Sequence, residues 1–299
     1  MTSPEVIAVF GPTASGKTAV AEALADRLGT ELVSADAMQV YRGLPVLTNQ
    51  SERPGRLVAI WPLSHEGSVG EFERLAHDAI DELVVSHGRA VVAGGTGLYL
   101  RAALTDLELP PPPPVGARER WEEAYDADRD ATYAQLEERD PAAAAAVHPN
   151  DRRRVVRALE LSESGSSLAP EPSRLWSGDF RRPTLVVGLD VPPELLARRI
   201  EERTHEMFRR GVVEEVQAAL AAGPVSTTAE KAIGLREIAS LSTGVEAALA
   251  TRTRQYAAYQ RKWMRRIPGI VMVDADRPPA EVVDAILEVA RTPTLIQRR

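Results

Sequence analysis

No cysteine occurs in the 299 residues, and only Lys17, Lys231 and Lys262 are lysine. Without thiols the chain can have no disulfide framework, no thiolate metal site, no iron–sulfur cluster and no cysteine nucleophile, so packing must supply its stability. Every other basic side chain is Arg, the better bidentate partner for phosphate, although a genome-wide compositional bias accounts for this equally well. An excess of positive charge is also missing. Against 43 Asp and Glu stand 36 Lys and Arg, a formal net charge of −7, which is not the overall footprint of a nucleic-acid binder. No apolar run approaches the roughly 20 residues that span a bilayer, and Met1 to Glu5 lead straight into a short strand instead of a signal peptide. The expectation is a cytoplasmic protein that does not enter a membrane.

What is present is an ordinary globular composition, 44% hydrophobic and 26% charged. The length is about twice the roughly 150 residues of a common domain, which favours two domains or one core with an insertion. Val6-Ile7-Ala8-Val9-Phe10 reads as a buried strand that stops at Gly11. After it the spacing predicts a helix from Lys17 to about Leu28, closed by Gly29, and a short strand over Glu31 to Ser34. A second helix, Phe72 to Val85, has apolar positions Phe72, Leu75, Ala76, Ala79, Ile80 and Leu83, and Ala90 to Ala93 is the next strand. This alternation predicts an α/β fold, a parallel sheet with helices on both faces. The pattern then breaks. Leu109 to Pro114 is a proline run, stiff and without backbone donors, so it reads as a spacer. From Arg118 to Ser164 the chain turns helical and highly charged, acidic in front and basic behind, the pattern of a small α-helical insertion. A Ser/Pro/Gly-rich stretch from Gly165 to Pro172 leads back to a strand over Thr184 to Leu189. The core would thus comprise residues 1–109 and 173–299, and the insertion residues 110–172. Residues 193–222, 229–241 and 244–266 read as helices, and Val271 to Val273 as a last strand.

Gly11-Pro12-Thr13-Ala14-Ser15-Gly16-Lys17-Thr18 fits the phosphate-loop pattern G-x-x-x-x-G-K-[ST], with the required strand before it and helix after it. Such a loop curls so that successive N–H groups point at an anion, and the helix start adds about half a positive charge there. Lys17 would neutralise the terminal phosphate, and Thr18 would ligate Mg²⁺. The cradle reads a diphosphate whatever is attached to it, so other features must decide the chemistry. A hydrolase needs an acid at the end of the Ala90 to Ala93 strand. That strand runs instead into Gly94-Gly95-Thr96-Gly97-Leu98-Tyr99, which can approach a ligand closely and offer a hydroxyl but no metal carboxylate. Asp36 is the acid that the pattern puts beside the loop; alternatively it only caps a turn or a helix. Further on, Asn150 to Glu160 puts Arg153, Arg154 and Arg157 on one helical face, either an anchor for a phosphate backbone or a merely solvated face. Arg252 to Arg266 mixes cations with Tyr256, Tyr259 and Trp263, which suits phosphates and bases, or else an amphipathic helix that buries its rings.

The loop, then Ser34-Ala35-Asp36-Ala37-Met38-Gln39-Val40-Tyr41-Arg42-Gly43, GGTGLYLRA from Gly94, HPNDRRRVVRALE from His148, and Ala232-Ile233-Gly234-Leu235-Arg236-Glu237 occur in this order. Together, over nearly the whole chain, they resemble the tRNA dimethylallyltransferase family. The resemblance implies a P-loop NTPase-like core, Mg²⁺ as cofactor, and transfer of a dimethylallyl group from its diphosphate to N6 of the adenine just 3′ of the anticodon, in tRNAs that read codons beginning with U. Carried over residue by residue, it implies that Gly11, Pro12, Thr13, Ala14, Ser15, Gly16, Lys17 and Thr18 form the diphosphate site, with Thr13 to Thr18 facing the ligand. It makes Asp36 the general base, working with Lys17 and Thr18, and sets Asp36, Ala37, Met38 and Gln39 against the adenine. Contacts to tRNA fall on Thr96, Arg118, Arg153, Arg154, Val155, Val156, Arg157, Lys231, Ala232, Ile233, Gly234, Leu235 and Arg236. The implied partners are dimethylallyl diphosphate and the anticodon stem-loop, met by a monomer. The sequence departs from the family's pattern at Leu47-Thr48-Asn49-Gln50, where G-T-A-K is usual, and at Ala257-Ala258-Tyr259-Gln260, where A-K-R-Q is common. The residues by themselves leave three alternatives. A small-molecule kinase needs no basic insertion, a prenyltransferase of free adenine nucleotides needs no Arg-rich segments, and a non-catalytic RNA-binding module leaves the phosphate loop without a purpose.

Overall fold

A computed structural model of the chain describes residues 3–107, 113–169, 180–240 and 243–292. Strands β1 (Val6–Phe10), β2 (Leu32–Ser34), β3 (Ala90–Gly94), β4 (Thr184–Asp190) and β5 (Val271–Asp274) form one sheet in the order β2-β3-β1-β4-β5, with every pairing parallel. Helices α1 (Lys17–Leu28), α2 (Val69–His87) and α3 (Gly97–Leu104) precede a helical segment with α4 (Ala117–Ala127), α5 (Arg129–Arg139), α6 (Pro141–Ala146) and α7 (Arg152–Glu163). Helices α8 (Pro193–Arg209), α9 (Val212–Ala221), α10 (Leu235–Ala239), α11 (Val245–Met264) and α12 (Pro279–Ala290) follow. The chain divides into two compact units, Met1–Leu107 with Trp176–Arg299, and Glu108–Leu175.

In the first unit, a strand such as VIAVF, apolar at every position, is what a sheet covered on both faces requires. Successive side chains go to opposite sides. Ile7 and Val9 join Val20, Leu24, Val282 and Ile286 from α1 and α12, while Val6, Ala8 and Phe10 join Phe72, Ile80, Leu83 and Leu100 from α2 and α3. Fully burying side chains of this size contributes roughly 1.5–3 kcal/mol each. Because all strands run the same way, the loops after β1, β2 and β3 gather at one edge of the sheet. Pairing of Phe10 with Gly94 puts the loops after β1 and β3 side by side.

Helix α2 is longer than the apolar spacing predicts because Ser68 Oγ accepts the N–H of Glu71 and so starts it early. The helix expected over 193–222 is broken at Gly211, whose left-handed backbone (φ 81°) separates α8 from α9. The one expected over 229–241 resolves into a 3₁₀ turn, Ala229–Lys231, and the short α10. Helices α3 and α12 were not legible in advance: one hides behind Gly97 and the other begins at a proline.

In the second unit α4 to α7 bury Trp121, Leu136, Val155, Val156 and Leu159 in a core of their own. Asp128, Asp140 and Asp151 cap α5, α6 and α7 by accepting the N–H groups of Ala131, Ala143 and Arg154, contacts worth about 1 kcal/mol each. Val155 and Val156, expected against tRNA, are corrected by this packing: they lie on the inward stripe of α7, and their side chains fill the core. The expected boundaries at 109/110 and 172/173, with most of the proline spacer, lie outside the described residues.

Candidate active site

Between β1 and α1 the loop curls through two left-handed residues, Ala14 (φ 64°) and Gly16 (φ 83°). No side chain caps α1, so its first N–H groups are left for a guest. The loop borders a cavity of about 680 Å³ in the first unit, within the span of small-molecule sites.

One side of this cavity is cationic. Lys17 stands at its floor, and Arg203 reaches it from α8, with Nη1 donating to Thr13 Oγ1 at 2.8 Å. Burial lowers the pKa of Lys17 below the ordinary lysine value, with the charge of Asp36 opposing the shift and that of Arg203 adding to it. Burial likewise lowers that of Arg203, again opposed by Asp36. Asp36 thus acts on both cations by Coulomb attraction alone. Two buried polar atoms here, Arg203 Nε and Ser15 Oγ, find no partner among the described residues. An unpaired buried group costs roughly 1–3 kcal/mol, a cost that an anion in the cradle would remove.

The other side is apolar. Leu47, Met207, Ala232, Ile233 and Leu249 line it as the exposed edge of a cluster that also contains Leu44, Val212 and Leu235. Asp36 borders the same cavity after β2. Its Oδ1 accepts the N–H groups of Met38 (2.9 Å) and Gln39 (3.3 Å), so it does cap a turn. That anchoring leaves the second carboxylate oxygen without a hydrogen bond among the described residues. Asp36 thus caps a turn and borders the cavity with the same side chain.

Gln39 is held otherwise than expected. Its Oε1 accepts from Ser34 Oγ (2.9 Å) and its Nε2 donates to the carbonyl of Asn49 (3.0 Å), so its amide is engaged within the protein. Gln50, at the position of the missing lysine, donates to the carbonyls of Tyr41 (2.7 Å) and Gln39 (3.2 Å) and braces the same turn. Thr13, expected to face the diphosphate, borders the cavity but gives its N–H to Gln260 Oε1 at 2.8 Å, so that group is engaged within the protein. Thr96 does border the cavity, with its hydroxyl 3.2 Å from Tyr256 OH.

Of the stretch from Lys231 to Arg236, Lys231, Ala232 and Ile233 line the cavity. Gly234 makes a turn at φ 102°, Arg236 is exposed and paired with Glu230, and Leu235, expected at tRNA, is buried under the apolar wall. In the helical unit, Arg118 and Arg157 both bind Glu160, at 2.8 and 3.1 Å, and that carboxylate is only 1% exposed. Arg152 is tied to Asp126 at 2.7 Å, whereas Arg153 and Arg154 are exposed.

Arg203 was missed in the sequence, and Tyr256 and Gln260, although they stand in stretches singled out there, were given no place beside the loop. One signal was available for Arg203: an arginine beside the inward positions Leu196, Ile200, Thr204 and Met207 of an amphipathic helix. For a metal, Thr18 and Asp36 offer oxygen donors to the cavity, while no group of three or more His, Asp or Glu among the described residues could hold an ion. Such a donor set fits a hard cation that arrives with phosphate oxygens, not a site built wholly of protein.

Two family models match the chain, "IPP transferase" over residues 39–267 and "Isopentenyl transferase" over residues 4–54. The tRNA dimethylallyltransferase of Streptomyces coelicolor is 38% identical over 282 residues, which is 90% of this chain and 89% of the relative. That of Mycobacteroides abscessus is 40% identical over 289 residues, 91% of each. Among solved structures, the tRNA isopentenylpyrophosphate transferase of Bacillus halodurans superposes with a TM-score of 0.68 at 29% identity, covering 97% of this chain and 98% of that one. A eukaryotic dimethylallyltransferase described as acting on tRNA gives 0.72 at 27% identity, covering 91% and 74%. The fold is therefore P-loop NTPase-like, a parallel sheet carrying the loop. Loop, cavity and relatives agree, and the chain belongs to the IPP transferase family, that of the tRNA dimethylallyltransferases.

Proposed function

We propose that this chain transfers the dimethylallyl group of dimethylallyl diphosphate to N6 of the adenine 3′-adjacent to the anticodon, in tRNAs reading codons that begin with U, and releases diphosphate. One observation carries the reading. A single cavity joins an anion cradle, with Lys17 and Arg203 bonded to no carboxylate among the described residues, to an apolar wall that suits a five-carbon tail, and Asp36 borders the cavity too.

In the reaction the N6 lone pair forms a bond to C1 of the prenyl group while the C1–O bond breaks and its electrons leave with the diphosphate. The amine is a weak nucleophile because its lone pair is delocalised into the ring. Asp36, anchored through Oδ1, takes the N6 proton on its other oxygen as the new bond forms. Lys17, Arg203 and the free N–H groups at the start of α1 stabilise the departing charge. Mg²⁺, held by Thr18 together with diphosphate oxygens, would supply further neutralisation there. The adenine must leave its stack, at a cost of a few kcal/mol that cationic contacts to the stem-loop offset. Lys231 at the cavity and Arg118, Arg153, Arg154 and Arg157 in the helical unit are the candidates for those contacts. With its tRNA substrate the chain would work in the cytoplasm as a monomer.

Radiolabelled dimethylallyl diphosphate and unmodified tRNA, followed by digestion of the RNA, should give label on a single adenosine. Asp36→Ala should lower turnover about 10²-fold with dimethylallyl diphosphate binding retained. ADP formed from ATP and a small acceptor would point to a kinase instead, and equal activity on free AMP to a nucleotide prenyltransferase.

A further inference from the structure

Gln260 sits on α11, 3% exposed, and its two amide ends go to two different loops. Oε1 accepts the N–H of Thr13 at 2.8 Å, and Nε2 donates to the carbonyl of Gly95 at 2.8 Å. Thr13 belongs to the anion loop after β1, and Gly95 to the turn after β3. Hydrogen bonds from one planar group to both backbones set the separation of those loops. The approach is close: a Cβ at Gly95 would collide with Gln260 Nε2 and come within 3.1 Å of the Gly11 carbonyl and 3.4 Å of Lys17 Nζ. Only a glycine lets the loops close on the amide.

The same helix face reaches the site again one turn earlier, where Tyr256 meets the Thr96 hydroxyl. On the far side of the loop, Arg203 holds the Thr13 hydroxyl. The leaving-group loop and the turn after β3 are thus tied to a single stretch of α11, and the end of β3 in turn holds the Asp36 turn, because the Ala93 carbonyl accepts the N–H of Ala35 at 2.7 Å. A buried Gln with both ends satisfied is often only part of a core. Here the bonds join the two halves of the site, and Gln260 itself borders the cavity.

Building on the prenyl-transfer reading, we propose that Gln260 is a positioning residue that fixes the distance between the departing diphosphate and the attacking purine. Reacting atoms must lie about 3–3.5 Å apart, and a displacement of about 1 Å costs on the order of 10²-fold in rate. Each loop keeps its own contacts to its own substrate, so loss of the bridge impairs turnover and spares affinity.

The test is steady-state transfer to unmodified tRNA by the full chain, with dimethylallyl diphosphate affinity measured separately by equilibrium binding. Gln260→Leu keeps the shape and loses both bonds. Its kcat should fall about 30- to 100-fold while KM and Kd for dimethylallyl diphosphate move less than about threefold. Gln260→Glu keeps the acceptor for Thr13 and loses the donor to Gly95, so it should lose about tenfold in kcat; should the Leu variant not fold, this variant alone decides. Unchanged kcat, or a loss of donor affinity in step with the loss of activity, overturns the proposal while an active wild type leaves the prenyl-transfer reading intact. A wild-type chain inactive on tRNA overturns both together.

Discussion

In the cavity Lys17 and Arg203 are half-buried with no carboxylate bonded to them among the described residues, whereas in the helical unit Arg118, Arg152 and Arg157 are each tied to an acid. The first arrangement is costly by itself, because part of the desolvation of each charge is offset only by the Coulomb attraction of Asp36 and, for Arg203, one hydrogen bond to Thr13. It makes sense where a guest brings the counter-charge. The second needs no guest to persist. Glu160 at the centre of the Arg118 and Arg157 pair holds two guanidinium groups in fixed orientation, ready for a phosphate that approaches from solvent but not dependent on one.

The comparison breaks first at Lys17. Lys17→Ala should cost about 10²- to 10³-fold in turnover, the scale of losing one preorganised donor to developing negative charge. Because burial lowers its pKa, an arriving diphosphate should reverse that shift, so that binding takes up protons as the pH is raised towards the lowered value. Calorimetry in buffers of different ionisation enthalpy reads this directly. Arg203→Leu should weaken dimethylallyl diphosphate binding roughly tenfold yet leave Tm unchanged or raised, since it removes a half-buried cation whose Nε has no partner among the described residues. A fall in Tm would mean that Arg203 is structural.

Glu160→Gln should do the reverse, lowering stability by about 1–2 kcal/mol in denaturant unfolding while dimethylallyl diphosphate affinity holds. This is less than for a fully enclosed pair, because both guanidinium groups reach water. The smallest effect belongs to exposed Arg154. Arg154→Ala should leave stability alone and reduce the slope of tRNA affinity against salt by about one; an unaltered slope would return this face to solvent.

How legible these features were in the sequence depended on whether the signal was local. The loop from Gly11 to Thr18 and the five strands could be read because each is a contiguous pattern with a backbone reason. Asp36 could be read from its place at a strand end. Arg203 and Gln260 could not: the bonds that define them join positions 190 and 247 residues apart, and neither the amphipathic spacing around Arg203 nor the stretch from Ala257 to Gln260 says which loop the side chain reaches. Val155, Val156 and Leu235 failed for a different reason. A motif marks a stretch of chain, but a helix turns each successive side chain by about 100°, so some members of any helical motif must face inward.

Gly211 also shapes the pocket from a distance. An unbroken helix over 193–222 would have run about 45 Å in a straight line at 1.5 Å per residue. By redirecting the chain, that one glycine lets Glu215 on α9 accept the N–H groups of Val46 and Leu47, both at 2.8 Å. The hydrocarbon lining supplied by Leu47 is therefore suspended from a carboxylate that could not reach it along a straight rod, and stiffening residue 211 would slacken the pocket without touching any atom inside it.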